Sequence, residues 1–116
     1  MPTAAAASRG APPMTDRMAE LERLHRADPK DPFCTYGIAL EHAKAERLEE
    51  AVAWFDQTLA LDSRYCYAYY QKAKSLLELG RGAEAKVVLQ TGIKTALEAG
   101  DQHAHSEIKT LLDEME

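Results

Sequence analysis

The sequence has few cysteines, no excess of basic residues and no long apolar run, and each shortage excludes a class of protein. Cys34 and Cys66 are the two cysteines in 116 residues, without a CxxC pair or histidines at ligand spacing. This disfavours a disulfide framework and a zinc site, so we expect two reduced, partly buried thiols. The longest apolar stretch near the N-terminus, Ala4 to Ala7, is too short for a secretory signal, and no stretch reaches membrane-spanning length. We therefore expect a cytoplasmic protein without a membrane partner.

Basic residues are too few and too scattered for non-specific binding to nucleic acid. The chain has 14 lysines and arginines against 19 acidic residues, which gives a net charge of -5. Attraction to phosphate needs clustered cations, and the sequence contains no basic run. The sequence therefore predicts no nucleic-acid partner.

Motifs that carry catalysis are also missing. The sequence has no G-x-S-x-G, no phosphate-binding glycine loop, no H-E-x-x-H and no paired carboxylates in a plausible pocket. His103 and Glu107 would offer only two metal ligands on one helix face. His42 stands alone, and we interpret it as a packing and hydrogen-bonding residue. We expect a protein that is not an enzyme and that binds no cofactor or metal ion.

The N-terminal segment differs in composition from the rest of the chain. Residues 1–13 (MPTAAAASRGAPP) contain three of the five prolines and no large hydrophobe after Met1. Little there offsets the entropy of ordering, so we predict a disordered tail, with a transit peptide as the alternative. Residues 14–116 are predicted to form one helical domain.

Apolar spacing in this second part predicts helices throughout and no strands. Thr15 or Asp16 can cap the first helix, Gly80 suits a left-handed cap, and Asp101 can cap the last helix. The predicted apolar positions of the fifth helix are Val88, Leu89, Ile93 and Leu97. Ile108, Leu111, Leu112 and Met115 would form the apolar stripe of the last helix and cover the face that the fifth helix leaves open. The six predicted helices span about 15–27, 32–45, 48–61, 65–79, 82–99 and 101–115.

The sequence aligns with itself when it is shifted by 34 residues. The shift places Tyr36 on Tyr70, Ala39 on Ala73, Ala51 on Ala85, Phe55 on Leu89 and Leu59 on Ile93. A constant period of this length indicates stacked helical hairpins. The same shift places the first helix on the third, so the first helix is read as the second half of a repeat.

These residues resemble the tetratricopeptide-repeat family, whose 34-residue unit has the pattern W-x2-L-G-x2-Y, A-x3-F and P. The first full repeat carries Thr35, Ile38, Ala39, His42, Ala51 and Phe55 at these positions, and the second carries Tyr69, Lys72, Ala73, Leu76, Ala85 and Leu89. Thr35 replaces the aromatic residue and Lys72 the leucine. The resemblance implies an all-α, right-handed α-solenoid with a half repeat, two full repeats and a C-terminal capping helix. It also implies an adaptor, scaffold or co-chaperone-like role.

In such a stack the first helix of each hairpin lines the concave surface, and its free side would meet a ligand. The predicted peptide-binding groove therefore comprises Phe33, Tyr36, Leu40, Lys44, Tyr67, Tyr70, Gln71, Lys74 and Glu78. Tyrosine suits a partner surface because it combines a large apolar area with a hydroxyl group. The alternative is that these aromatic rings pack against each other or the neighbouring hairpin.

The residue types in the groove also restrict its partner. Some family members hold acidic C-terminal tails with a clamp of Lys and Asn, but the corresponding places here hold Tyr36, Leu40 and Gln71. We therefore expect a more apolar peptide, although Lys72 and Lys74 can still meet an acidic one. The alternative function is assembly into a homo-oligomer, through this surface or through an open face of the first helix around Met18 and Leu21.

Overall fold

A computed structural model describes residues 15–115, and this part of the chain contains six α-helices and no strand. Each helix end lies within one residue of the predicted position. The predicted disordered tail, residues 1–13, falls outside the described residues. The helices are α1 (Asp16–Ala27), α2 (Pro32–Lys44), α3 (Leu48–Leu61), α4 (Cys66–Glu78), α5 (Gly82–Ala99) and α6 (Gln102–Met115).

Local side-chain chemistry sets several of the helix ends. The Thr15 hydroxyl accepts a hydrogen bond from the Met18 N–H at 2.9 Å. Asp101 accepts one from the Ala104 N–H at 3.0 Å, as predicted for the last helix. Gly100 ends α5 in the left-handed conformation with φ 71°. These groups satisfy N–H donors or reverse the chain where a helix cannot continue.

The helices stack as antiparallel hairpins, and the stack is curved. Cα atoms of α2 and α4 approach within 8 Å, as do those of α4 and α6. No such approach joins α1 to α3 or α3 to α5 in the described part of the chain. The helices α1, α3 and α5 are therefore farther apart from each other than α2, α4 and α6 are. As a result α2, α4 and α6 line the concave side, and α1, α3 and α5 form the outer side.

Small residues allow the helices of each hairpin to approach closely. Ala39, Ala51, Ala73 and Ala85, which the repeat alignment predicts at these contacts, have no solvent exposure. The larger members of the repeat, Phe55 and Leu89, are also fully buried. The core is therefore a row of repeated contacts between neighbouring helices.

The last helix closes this row as predicted. Ile108 is fully buried in the cluster that contains Leu89, and Leu111, Leu112 and Met115 pack against the same cluster. Cys34 and Cys66 are free thiols and both are buried. None of the helices between residues 15 and 115 is long and apolar enough to cross a membrane.

Two expectations about apolar surfaces are wrong. Met18 and Leu21 are 2% and 1% exposed because both pack against Ile38, so α1 has no open apolar face there. The close fit depends on Gly37, where an added Cβ would lie 2.8 Å from Leu21 Cδ2. Leu97, expected on the apolar stripe of α5, is 63% exposed, because Ala96 is the residue that turns inward.

The turns after α2 and α4 use the same backbone geometry with different residues. Glu46 has φ 62°, and Gly80, its counterpart in the next repeat, has φ 79°. A left-handed conformation costs an ordinary residue about 1–2 kcal/mol, while glycine adopts it freely. The first repeat therefore carries backbone strain that the second avoids.

Replacing Glu46 with glycine is expected to raise the free energy of unfolding by about 0.5–1 kcal/mol, the relieved strain less the chain entropy of glycine. Urea unfolding followed by circular dichroism measures this change. The reverse substitution, Gly80→Glu, should be destabilising by a similar amount, because it places a side chain on a left-handed backbone. Steric clash adds nothing to this cost, since a Cβ at Gly80 meets no atom within 4 Å. A loss of stability in Glu46→Gly would contradict the explanation.

Candidate functional site

A groove lies between the C-terminal halves of the two inner helices α2 and α4. Its volume is about 380 Å³, and Arg17 of α1 borders one end. Leu40 and Lys74 occupy equivalent positions of the two repeats, as do Lys44 and Glu78, so the repeat supplies both walls. Five of the nine predicted site residues line the groove: Leu40, Lys44, Gln71, Lys74 and Glu78.

The other four predicted residues lie nearer the start of the inner helices. Phe33, the second residue of α2, is 55% exposed. Tyr36 is half-buried, with its ring centroid 4.8 Å from that of Tyr65 and 5.8 Å from that of Phe55. Burial, followed by the neighbouring tyrosines Tyr65 and Tyr67, raises the pKa of Tyr36 to about 12, although a hydrogen bond with Gln71 opposes this rise.

The corresponding tyrosines of α4 also combine packing with partial exposure. The Tyr67 and Tyr70 rings meet edge to face at 6.5 Å, and Tyr67 lies 6.0 Å from the ring of His103 on α6. Lys74 Nζ stands 5.5 Å from the centroid of the Tyr70 ring. The tyrosines thus form a half-buried floor of the concave surface and do not project freely from it.

Tyr65 and Glu41 belong to this region but were not among the predicted site residues. Tyr65 precedes α4, and its ring packs at a tilt of 38° against that of Tyr36. Its position two residues before Tyr67 was a usable signal. Its repeat counterpart is Asp31, however, so the repeat alignment gave no indication of a ring there.

Glu41 is a buried carboxylate at the edge of the groove. Its side chain is 5% exposed, lies 3.1 Å from Lys44 Nζ, and accepts a 3.1 Å hydrogen bond from the Thr15 hydroxyl. Burial favours the neutral acid, but hydrogen bonds from Lys44 and Thr15 and the charges of Lys44 and Arg17 outweigh it and lower the pKa of Glu41. The carboxylate therefore holds the start of α1 against α2 and orients Lys44 beside the groove.

Other polar residues singled out in the sequence face away from the groove. Lys72 is 22% exposed and pairs with Asp56 of α3, which corrects the expectation that it meets a peptide. His42 accepts a 3.0 Å hydrogen bond from Arg47 Nε, the role inferred for it. Burial, then the positive charge of Arg47, lowers the pKa of His42. In residues 15–115 no three or more His, Cys, Asp or Glu side chains are grouped to hold a metal ion.

Solved structures of two other proteins share this architecture. A tetratricopeptide repeat domain protein from Salinibacter ruber is 34% identical in its solution NMR structure, with a TM-score of 0.72 over 77% of this chain and 90% of that one. Its crystal structure gives 32% identity and a TM-score of 0.69, over 73% and 94%. A protein from Bordetella parapertussis is 22% identical over 88% and 89%, and its TM-score of 0.77 shows the same fold. Comparison with protein-family models and with curated proteins gave no match.

Stacked antiparallel hairpins that repeat at a constant period around an inner groove define a helical-repeat solenoid of the kind that serves protein–protein interaction. With 34% identity across 90% of the Salinibacter ruber protein, the chain belongs to the tetratricopeptide-repeat family. Members of this family are typically non-catalytic interaction modules.

Replacing Glu41 with glutamine is expected to lower the free energy of unfolding at pH 7 by about 1–2 kcal/mol, because the buried site loses charge-assisted hydrogen bonds. Since the folded-state pKa is lowered, the carboxylate stabilises the fold above its ordinary pKa of 4.5, and the contribution is lost as pH falls through the folded value. Urea unfolding at pH 7 and at about pH 3.5 should therefore show the two proteins converging in acid. Glu20→Gln, at an exposed position, serves as the control. If the wild type and Glu41→Gln differed by the same free energy of unfolding at both pH values, this account would be refuted.

A second prediction concerns the Tyr67 hydroxyl, which is buried and has no hydrogen-bond partner among the described residues. Tyr67→Phe removes this unpaired group and should raise the free energy of unfolding by about 1 kcal/mol. Tyr69→Phe is the matched control, since its hydroxyl donates a 2.7 Å hydrogen bond to the Ser63 carbonyl, and its loss should be destabilising. Thermal melts followed by circular dichroism compare the stability of the two variants. If both were stabilised or both destabilised, hydrogen bonding of the hydroxyl would not decide how the substitution changes stability.

Proposed function

We propose that the groove between α2 and α4 holds a peptide segment of a partner protein, so that the chain acts as an adaptor, scaffold or co-chaperone-like module. The observation that carries this proposal is the cleft itself, which lies on the concave side and is walled by equivalent residues of two repeats. Its cationic and anionic side chains, Lys44, Lys74 and Glu78, are exposed.

The size of the groove agrees with a short segment. Each wall is the C-terminal half of a 13-residue helix, or about 10 Å at 1.5 Å per residue. About three extended residues, or about two turns of helix, cover that length. Leu40 supplies apolar area, while Gln71 supplies donors and acceptors for a peptide backbone.

The tyrosines support this binding mode indirectly. Tyr36 and Tyr70 each pack against a core cluster of the stack, so they contribute to the fold as well as to the concave surface. Removing them would disturb the fold together with any binding. Leu40 packs against the same cluster as Tyr36, but its truncation to alanine removes fewer atoms, and Lys74 is exposed, so these two are the better positions for a test.

Self-association through the same surface is the second candidate function, favoured by the exposure of Phe33 beside the groove. The version that used Met18 and Leu21 is excluded by their burial. Light scattering over a range of concentrations separates the two candidate functions. A protein that stays monomeric at all concentrations would rule out self-association, and peptide binding would remain.

The test begins with random dodecapeptides displayed on phage and selected against the full chain. Selected peptides are synthesised with a fluorophore, and their Kd is measured by polarisation. We expect Leu40→Ala/Lys74→Ala to weaken binding by about tenfold or more, because both groove walls lose contact area.

The matched control is Lys94→Ala/Leu97→Ala, which removes the same two residue types from exposed positions on the outer helix α5. Its Kd should stay within about twofold of the wild type, since surface changes away from a binding site have little effect. Circular dichroism must show both variants folded. Equal losses in both variants, or no selected peptide that needs Leu40 and Lys74, would refute groove binding.

A further inference from the structure

The concave surface has a distinct aromatic end, which we define as Phe33, Tyr36, Tyr65, Tyr67 and Tyr70. Phe33 and Tyr67 are the second residues of α2 and α4, and Tyr65 directly precedes α4. Tyr36 and Tyr65 lie 4.8 Å apart, and Tyr67 and Tyr70 lie 6.5 Å apart. Each of the four tyrosines is only partly buried, so ring surface remains available to a ligand.

Acidic residues lie near two rings of this aromatic end, those of Tyr65 and Tyr67. Asp31 caps the start of α2, Asp62 ends α3, Asp101 caps the start of α6, and Glu107 follows on α6. After burial, the charges of Asp31 and Asp62 raise the pKa of Tyr65. Burial and then Asp101 and Glu107 raise the pKa of Tyr67 in the same way. Carboxylate charge therefore lies close to Tyr65 and Tyr67.

None of these four carboxylates is neutralised by an ion pair within residues 15–115. Asp31, Asp62 and Asp101 accept hydrogen bonds from the backbone N–H groups of their own turns. The groove at the opposite end of the concave surface differs, because Lys44 and Arg17 there pair with Glu41.

A tyrosine of the aromatic end already carries a cation on its ring. Lys74 Nζ lies 5.5 Å from the Tyr70 centroid, within the range of a cation–π contact. Tyr36, Tyr65 and Tyr67 have no such partner within residues 15–115. Half-buried rings with nearby unpaired carboxylates are the setting in which a cation is attracted by both the ring face and the acid.

We propose that the aromatic end binds an arginine side chain of the partner segment, stacked on the tyrosines and paired with Asp31, Asp62 or Asp101. This inference rests on the proposed peptide-binding function and adds the chemistry of the ligand and its direction in the groove. Arginine fits better than lysine, because its planar guanidinium stacks on a ring while its N–H groups reach carboxylates.

The test uses the dodecapeptides selected on the full chain and, for each, a version with citrulline in place of arginine. Citrulline keeps the planar shape and removes the charge. We expect an arginine at a fixed position in the selected peptides and binding weaker by about tenfold with citrulline, a difference that shrinks at high salt.

A charge-neutral protein variant locates the arginine. Asp31→Asn/Asp62→Asn/Asp101→Asn removes three charges while asparagine preserves the helix caps. The control, Asp16→Asn/Asp56→Asn/Asp113→Asn, changes the net charge equally but lies outside the aromatic end. The preference for arginine over citrulline should disappear in the first variant and persist in the control.

The outcomes separate this inference from the proposed function. Peptides that need Leu40 and Lys74, yet lack an arginine or bind equally well with citrulline, would leave groove binding intact and overturn the arginine site. A fixed lysine in place of arginine would also overturn it. The absence of any peptide that needs Leu40 and Lys74 would overturn both.

Discussion

The close approach of neighbouring helices is the constraint on which the rest of this structure depends. Ala39, Ala51, Ala73 and Ala85 have no exposed surface, and a Cβ added at Gly92 would lie 2.8 Å from Tyr69 Cβ. Longer side chains at these points would force the helices apart, since packed interiors leave no spare volume. The spacing of the hairpins, their curvature and the groove between α2 and α4 all follow from these contacts.

Repetition supplies two copies of one surface, and single substitutions then make them different. Position 41 holds a buried carboxylate, whereas its counterpart, Ser75, is a buried hydroxyl. Lys44 pairs with Glu41, whereas Glu78, the counterpart of Lys44, forms no ion pair within residues 15–115. One end of the concave surface thus carries paired charges, and the other combines tyrosines with carboxylates that form no ion pair. A groove with unlike ends can select both the chemistry and the direction of a bound segment.

The tyrosines show how a small repeat protein combines core and binding surface in the same side chains. Tyr36 packs against Phe55 and Tyr65, and Tyr67 fills the space near His103, yet all three tyrosines keep part of their surface open. In so small a stack few rings can be spared for one purpose. Surface exposure and core packing are therefore not alternatives for these residues.

The sequence by itself determined the helices, their order and the repeat, because caps, apolar spacing and a constant repeat period act through neighbouring residues or equivalent positions. It also identified five side chains that line the groove. Only the tertiary structure decided that Leu21 is covered through Gly37, that Glu41 joins α1 to α2, and that Tyr65 packs against Tyr36. Each of these contacts joins residues of different helices or turns at unrelated repeat positions. Their existence depends on how closely the helices pack, which no local pattern records.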